Sequence, residues 1–176
     1  ITDLGMETGI EATVAGSNEN EVAAIIAKVM IDAGSEFFSM DPIVNAGHRT
    51  GYFHTTFKRH PITAGDHVQL EIGGCYHRYT APLMRTVILG EPGELVQRMI
   101  DSQLFTLDLL YGNVRAGRTA HDVAIETNRG VAAMESSIFR SGHFGYSVGM
   151  GFPPTWTDGP HSIAAGNHRV LEAAMT

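Results

Sequence analysis

The stretch that decides the fold is GDHVQLEIGGCYHRYTAPLMRTVILG, residues 65–90. It predicts a turn, a strand, a second turn and a second strand. Side chains alternate along a strand, so the apolar residues within 68–72 share one face, and Gln69 and Glu71 share the other. A carboxylate at this place is either a solvated strand residue or a cleft residue that acts as acid, base or nucleophile. The strand pattern leaves both interpretations open.

Two neighbours of this acid bear on the choice. A glycine pair, Gly73 and Gly74, follows it, and glycines inside a strand mark a bulge or the close approach of another segment. Among the nine histidines, His54 in YFHTTF is predicted to approach Glu71 from an adjacent strand-like segment. No two histidines have the HExxH spacing of a helical metal site, and a single histidine is more often structural. Arg85, in the second strand, is expected to make a structural ion pair.

Composition sets the class of protein. A length of 176 residues, 43% hydrophobic and 18% charged, predicts one soluble domain with a real core. The net charge of -7 argues against nucleic acid or an anionic membrane as a partner. No apolar run has the length of a membrane span. One cysteine, Cys75, excludes an internal disulfide and favours a cytoplasmic location.

The order of predicted elements indicates an α+β domain. Ser17 is the predicted N-cap of a helix, Glu19 lies in its first turn where the helix dipole favours acids, and Gly34 ends it. The other predicted elements are a helix tail in 1–14, strand-like segments between 37 and 90 that include FHTTF, a helix in 92–115, a helix from the N-cap Thr119 to about Ser137, and a strand-and-loop segment in 142–162.

The Gly- and Pro-rich run GYSVGMGFPPTW, residues 145–156, matches no phosphate-binding loop because it lacks the GxxxxGK[ST] pattern. Tyr146 and Trp156 offer flat faces. They form either the wall of a pocket or part of the core, and the sequence leaves both open.

The order of motifs resembles that of the pita-bread hydrolases, the superfamily of methionine aminopeptidase, aminopeptidase P, prolidase and creatinase. The motifs are GSNENEVAA, IVNAG, the histidine of YFHTTF, ITAGDHVQLEIGG, YTAPLMRTVILG and GYSVG. The resemblance implies an α+β pita-bread fold with a curved antiparallel sheet and helices on its outer face. It also implies that residues 1–176 are most of one catalytic domain, with an N-terminal domain and C-terminal strands outside this chain.

This chain departs from the family at the metal ligands. The peptidases of the superfamily hold two metal ions with two aspartates, a histidine and two glutamates. Glu71 stands at the first aspartate position and Pro82, which cannot bind a metal, at the second. GYSVG places Tyr146 at the histidine position, and a shifted register would offer His143. The two glutamates are expected beyond Thr176. We therefore expect no metal and no cofactor.

The departures resemble the creatinase branch, which cleaves C–N bonds without metal, and within it ectoine hydrolase is most similar. The resemblance implies Glu71 as nucleophile or proton carrier and His54 as proton shuttle. Tyr79, Tyr146 and Trp156 are the predicted substrate-binding residues.

Three functions follow from these patterns. The first is metal-free hydrolysis of a C–N bond in a small amidine or guanidino-type substrate. The others are an Xaa-Pro peptidase with an unusual metal set and a non-catalytic binding module on the same scaffold. The expected partners are a small-molecule substrate and a second copy of the chain in a homodimer, with no nucleic acid and no membrane.

Overall fold

The computed structural model describes the whole chain except Phe53, Ser136 and Phe139, together with the side chain of Pro160. The described residues form two compact units, each with its own contacts. The first unit comprises Ile1–Glu91 and Val148–Thr157, and the second comprises Pro92–Ser147 and Asp158–Thr176.

Helices and strands alternate in blocks along the chain. The helices are α1 (Thr2–Ala12), α2 (Glu19–Asp32), α3 (Glu94–Asn113) and α4 (Ala120–Met134), and a short 3-10 helix covers Gly47–Gly51. The strands are β1 (Ile43–Ala46), β2 (His67–Tyr76), β3 (Tyr79–Ile88), β4 (His143–Val148) and β5 (Thr157–Ala164). They form one sheet in the order β1-β2-β3 and one that pairs β4 with β5.

The core of the first unit lies between one face of the three-stranded sheet and the helices α1 and α2. The predicted apolar face of β2 is confirmed, because its alternating apolar residues are all buried in this core: Val68, Leu70 and Ile72. Gly5 and Gly9 allow α1 to approach closely, since a Cβ at Gly9 would lie 2.7 Å from the Ile26 side chain. Helices thus cover one face of an antiparallel sheet, as expected.

The sheet register is continuous through the predicted hairpin. Residues of β2 and β3 pair from His67 opposite Ile88 to Tyr76 opposite Tyr79 without a bulge. The glycine pair marks a close approach instead, because a Cβ at Gly73 would lie 3.0 Å from the Trp156 ring.

The start of α2 differs by one residue from its prediction, and its end agrees with it. The N-cap is Asn18 rather than Ser17: the Asn18 side chain accepts from the backbone of Glu21, whose carboxylate accepts from the backbone of Asn18. A hydroxyl at Ser17 lies one residue too early for this reciprocal capping box. The end of the helix is as predicted, with Gly34 at φ 96° in the left-handed conformation.

One predicted strand is wrong. FHTTF was expected to be strand-like, and its described residues, 54–57, form no strand. The reason is that the backbone of this segment bonds to side chains, with the Thr56 carbonyl accepting from Arg49 and the Lys58 amide donating to Glu19.

The second unit contains α3, α4 and most of the β4–β5 pair. Thr119 is the N-cap of α4, as predicted, and its hydroxyl accepts from the Asp122 amide at 3.0 Å. The helix ends at Met134, a few residues before the predicted end. No described helix combines the length and the apolar character that a membrane crossing requires.

Candidate active site

Glu71 lies in the middle of β2, on the face of the sheet opposite the apolar core. The residue is only 5% exposed, which excludes a solvated strand residue. Its Oε2 accepts a hydrogen bond of 3.2 Å from Nε2 of Gln69. The two residues are two apart on one strand, so their side chains project from the same face, as the alternation predicted.

His54 approaches this carboxylate from the loop after the 3-10 helix. Its Nε2 lies 3.8 Å from Oε1 of Glu71, and its side chain is 66% exposed. This distance is within ion-pair reach but longer than a hydrogen bond. The backbone of His54 is left-handed, with φ 54°. The structure therefore brings together the two residues of the predicted catalytic pair, whose roles stay predictions.

Burial dominates the electrostatics of this pair. It raises the pKa of the Glu71 carboxyl, because the charged form loses hydration. His54 and then Gln69 lower the same pKa, but the effect of burial is the larger one. Glu71 therefore keeps its proton to a higher pH than an ordinary glutamate does. Such a carboxyl is suited to proton exchange nearer neutral pH.

The neighbours of Glu71 across the sheet do not form the donor set of a dinuclear metal centre. Ile43 and Met84 pair with Glu71 itself. Pro82 pairs with Gly73, and Thr86 pairs with Gln69. None of these four side chains is a carboxylate or an imidazole, so these positions of β1 and β3 supply no acid that could bridge two metal ions with Glu71. Within the described residues, no three His, Cys, Asp or Glu side chains are grouped so that they could hold a metal ion.

The three predicted substrate-binding residues occupy different places. Trp156 packs on Gly73, on the Glu71 face of β2, and is only 3% exposed. Tyr79 is exposed at the hairpin end, five register positions from the pair Glu71–Met84. At the rise of a strand this is about 17 Å along the sheet. Tyr146 belongs to the second unit and lines a cavity of about 160 Å³ there. The predicted binding roles stay predictions. Of the two such residues in the first unit, Trp156 packs on Gly73, two residues from Glu71 on the same face of β2, whereas Tyr79 lies at the far end of the hairpin.

Two other predicted residues are placed as follows. His143, the alternative to Tyr146, is exposed at the start of β4. Arg85 was expected to make a structural ion pair, and this is wrong among the described residues. Its guanidinium instead donates to the neighbouring Met84 carbonyl at 2.7 Å, and the residue is exposed.

A buried ion pair next to this site was not predicted from the sequence. Glu19 was interpreted as a helix-dipole acid, but it is fully buried and accepts from Nε of Arg49 at 2.8 Å. Its two oxygens also accept from the backbone amides of Ala46, at 2.9 Å, and Lys58, at 2.7 Å. In the sequence, an acid in the first turn of a helix has the same pattern whether it interacts with the helix dipole or makes a buried ion pair. The hydrogen-bond partners of Glu19 lie 27 to 39 residues away, so no local pattern shows them.

The sequence of this chain is similar to those of several known proteins. An ectoine hydrolase of Halomonas elongata is 29% identical over 145 residues, which are 81% of this chain and 36% of that protein. An Xaa-Pro dipeptidase of Pyrococcus furiosus is 28% identical over 123 residues, 70% of this chain and 35% of that protein.

The structure is similar to solved structures over almost its whole length. The X-Pro aminopeptidase of Thermotoga maritima MSB8 superposes with a TM-score of 0.86 at 23% identity, over 97% of this chain and 47% of that one. This chain therefore spans between about a third and a half of the length of these proteins. The likeness shows the pita-bread fold. The model of metallopeptidase family M24 matches residues 1–176, and the chain belongs to that family.

Proposed function

We propose that the native protein hydrolyses a C–N bond in a small amidine or guanidino-type substrate, with Glu71 and His54 as its working pair. The observation that carries this proposal is the pair itself. A buried carboxylate and an exposed imidazole lie 3.8 Å apart, with no second acid across the sheet.

The proposed chemistry divides between the two residues. The ionised Glu71 carboxylate either takes a proton from a water molecule whose oxygen adds to the amidine carbon, or adds to that carbon itself. In the second case a water molecule then hydrolyses the covalent adduct and frees the carboxylate. The C–N bond breaks as His54 gives a proton to the departing nitrogen. Histidine suits this role because it is the side chain that titrates near neutral pH. Its large exposed fraction leaves it in reach of a substrate that enters from solvent.

Charge complementarity supports an amidine-type substrate. Such groups are cationic, and an ionised Glu71 is the carboxylate that faces away from the core on β2. Because Glu71 is almost entirely buried, its attraction for a cation is screened less than that of an exposed acid. The ectoine hydrolase among the relatives supports the same substrate class.

The donor set around Glu71 supports an activity that does not use a dinuclear metal centre. Pro82 and Met84 lie across the sheet where a second acid would be needed to bridge two ions. The proposed chemistry therefore uses only Glu71, His54 and water.

A second candidate is an Xaa-Pro peptidase. The dipeptidase of Pyrococcus furiosus favours it, as does the likeness to an X-Pro aminopeptidase structure. In that case the ligands of a metal centre would have to come from a set other than the one across β2 and β3.

The deciding experiment is a substrate panel on the native protein. Ectoine, creatine and Xaa-Pro dipeptides are each assayed with and without a chelator, with Glu71→Gln as the control. We expect turnover of an amidine or guanidino compound that survives the chelator and is lost in Glu71→Gln. Turnover of dipeptides alone, abolished by the chelator, would establish the second candidate. No turnover on the whole panel would favour a binding module.

We further propose that the native protein is a homodimer, as the aminopeptidase P and creatinase branch implies. Light scattering at micromolar concentration tests this, and a monomeric mass would contradict it.

A further inference from the structure

We propose that Arg49, anchored on the buried carboxylate of Glu19, is a positioning residue that holds the loop carrying His54 against Glu71. The role rests on the proposed function of the pair, but the geometry that supports it does not involve a substrate.

Arg49 contacts both Glu19 and the loop through different edges of its guanidinium. Its Nε donates to Glu19 at 2.8 Å. Its Nη2 donates to the hydroxyl of Thr55 and to the carbonyl of Thr56, each at 2.9 Å. These are the two residues that directly follow His54. One planar group therefore links a buried anion to the backbone beside the imidazole.

Glu19 holds the same loop at two further points. It accepts from the backbone amide of Ala46 at the end of β1 and from that of Lys58 after the loop. The segment between these two amides contains His54, whose φ of 54° is one that non-glycine residues rarely adopt. Such a backbone persists only where its surroundings determine it, and the contacts of Glu19 and Arg49 supply these surroundings.

The network also reaches the strand that carries Glu71. Asn45 on β1 is fully buried and pairs with Gln69 on β2, and Gln69 donates to Glu71. The Asn45 Oδ1 accepts from the Thr55 hydroxyl at 3.2 Å and from Arg49 at 3.4 Å. The loop of His54 is thus bonded to the Asn45 side chain, and Asn45 is linked to the Gln69–Glu71 contact through the backbone pairing of β1 with β2.

The shape of the arginine is what the role requires. A lysine at position 49 keeps the positive charge but has one donor atom, which cannot bond Glu19 at one edge and Thr55 and Thr56 at another. Arg49→Lys therefore loosens the loop without removing a charge, and any direct Coulomb effect on Glu71 stays nearly constant.

The test is an NMR titration of the Glu71 carboxyl in the native protein labelled with 13Cδ-glutamate, with the signal assigned by Glu71→Gln. His54 lowers the pKa of Glu71, so a loop that drifts away should raise it. We expect Arg49→Lys and His54→Gln each to raise the pKa of Glu71. In the double variant, Arg49→Lys should add no further shift, because it acts through His54.

Two results would overturn the proposal. One is an unchanged Glu71 pKa in Arg49→Lys, and the other is an equal shift from Arg49→Lys when His54 is already replaced. Arg118→Lys is the matched control, since Arg118 also makes a partly buried ion pair, with Glu126 at 2.7 Å in the second unit. It should leave the Glu71 titration unchanged.

Thr55→Val decides the question if Arg49→Lys does not fold. It keeps the β-branched shape and removes one loop contact of Arg49, so a smaller rise in the Glu71 pKa is expected and no rise would refute the proposal.

A kinetic arm separates this proposal from the proposed function. With a substrate from the panel, Arg49→Lys should lower kcat by about 10²-fold, as expected for a misplaced catalytic group, with little change in KM. If no substrate of the panel is turned over, the proposed function is contradicted, but the titration of Glu71 still tests the positioning role of Arg49. A normal activity with no titration effect would remove only the positioning role.

Discussion

Two carboxylates in the first unit are almost inaccessible to solvent, and they are held in opposite ways. Glu19 receives an arginine Nε and two backbone amides, all within 2.9 Å. Among the described residues, Glu71 accepts from one side-chain amide at 3.2 Å, and the imidazole of His54 lies 3.8 Å from it. Burial alone therefore does not distinguish a structural acid from one available for chemistry. The number and type of donors around each carboxylate do.

The difference has a physical meaning. A buried carboxylate with a full set of donors, such as Glu19, is held in one position by its hydrogen bonds. One with few donors carries an uncompensated cost of burial, which raises its pKa, as is the case for Glu71. Sites of chemistry are where such costs are retained.

The strongest challenge to this comparison is the activity of Glu71→Gln. The change keeps the shape of the side chain and removes its charge, so a loss of roughly 10²–10⁴-fold in turnover is expected, as for a general acid or base. His54→Ala should lose a comparable amount, and the double variant should be little worse than either, because residues that act as a unit are not additive. Near-parental turnover of Glu71→Gln would return Glu71 to a packing role.

Glu19→Gln should affect stability rather than chemistry. It removes the charge that balances the Arg49 guanidinium, and breaking a buried pair typically lowers the free energy of unfolding by about 3–5 kcal/mol. Denaturant unfolding of the native protein measures this change. A loss below about 1 kcal/mol would show that the two carboxylates do not differ in the way proposed.

Glu71→Gln should change stability in the direction opposite to Glu19→Gln, and the change should depend on pH. Its folded pKa is raised, so the folded state binds this proton more tightly than the unfolded state, and stability falls as pH rises through that pKa. Glu71→Gln should therefore unfold with a higher free energy than the parent at pH 7. The gain should disappear below about pH 4, the range of an unfolded glutamate. Denaturant melts at several pH values test this, and a gain that grows toward low pH would contradict it.

The smallest effect is expected at His67. It lies on the same strand as Glu71 but four residues earlier, about 13 Å away along the strand. His67→Ala should keep turnover within a few-fold of the parent, in contrast to His54→Ala. Equal losses in the two variants would mean that proximity to Glu71 is not what matters.

The sequence predicted those features that depend on local spacing. Strand alternation assigned Glu71 to the face opposite the core. Thr119 and Gly34 marked helix ends correctly, because caps are set by residues within one turn. The glycine pair after Glu71 left a bulge and a close approach open, and the structure shows the second, with Trp156 against Gly73.

Features that depend on distant partners were missed. Nothing near Glu19 in the sequence shows that it bonds to Arg49 and Lys58, because these lie 30 and 39 residues away. The same contacts occupy the polar groups around FHTTF, which is why a segment of strand-like composition forms no strand. Arg85 was predicted to make an ion pair that the described residues do not form, because composition does not show which side chains lie near it.

The contact of Trp156 with Gly73 has a practical consequence for measuring this molecule. Trp156 is the single tryptophan of the chain, and its indole is buried on the Glu71 side of β2. Its emission maximum should therefore be that of an indole shielded from water. The maximum should shift to longer wavelength when the first unit unfolds. If Trp156 is also the single tryptophan of the native protein, its fluorescence reports on the surroundings of Glu71 without an attached dye.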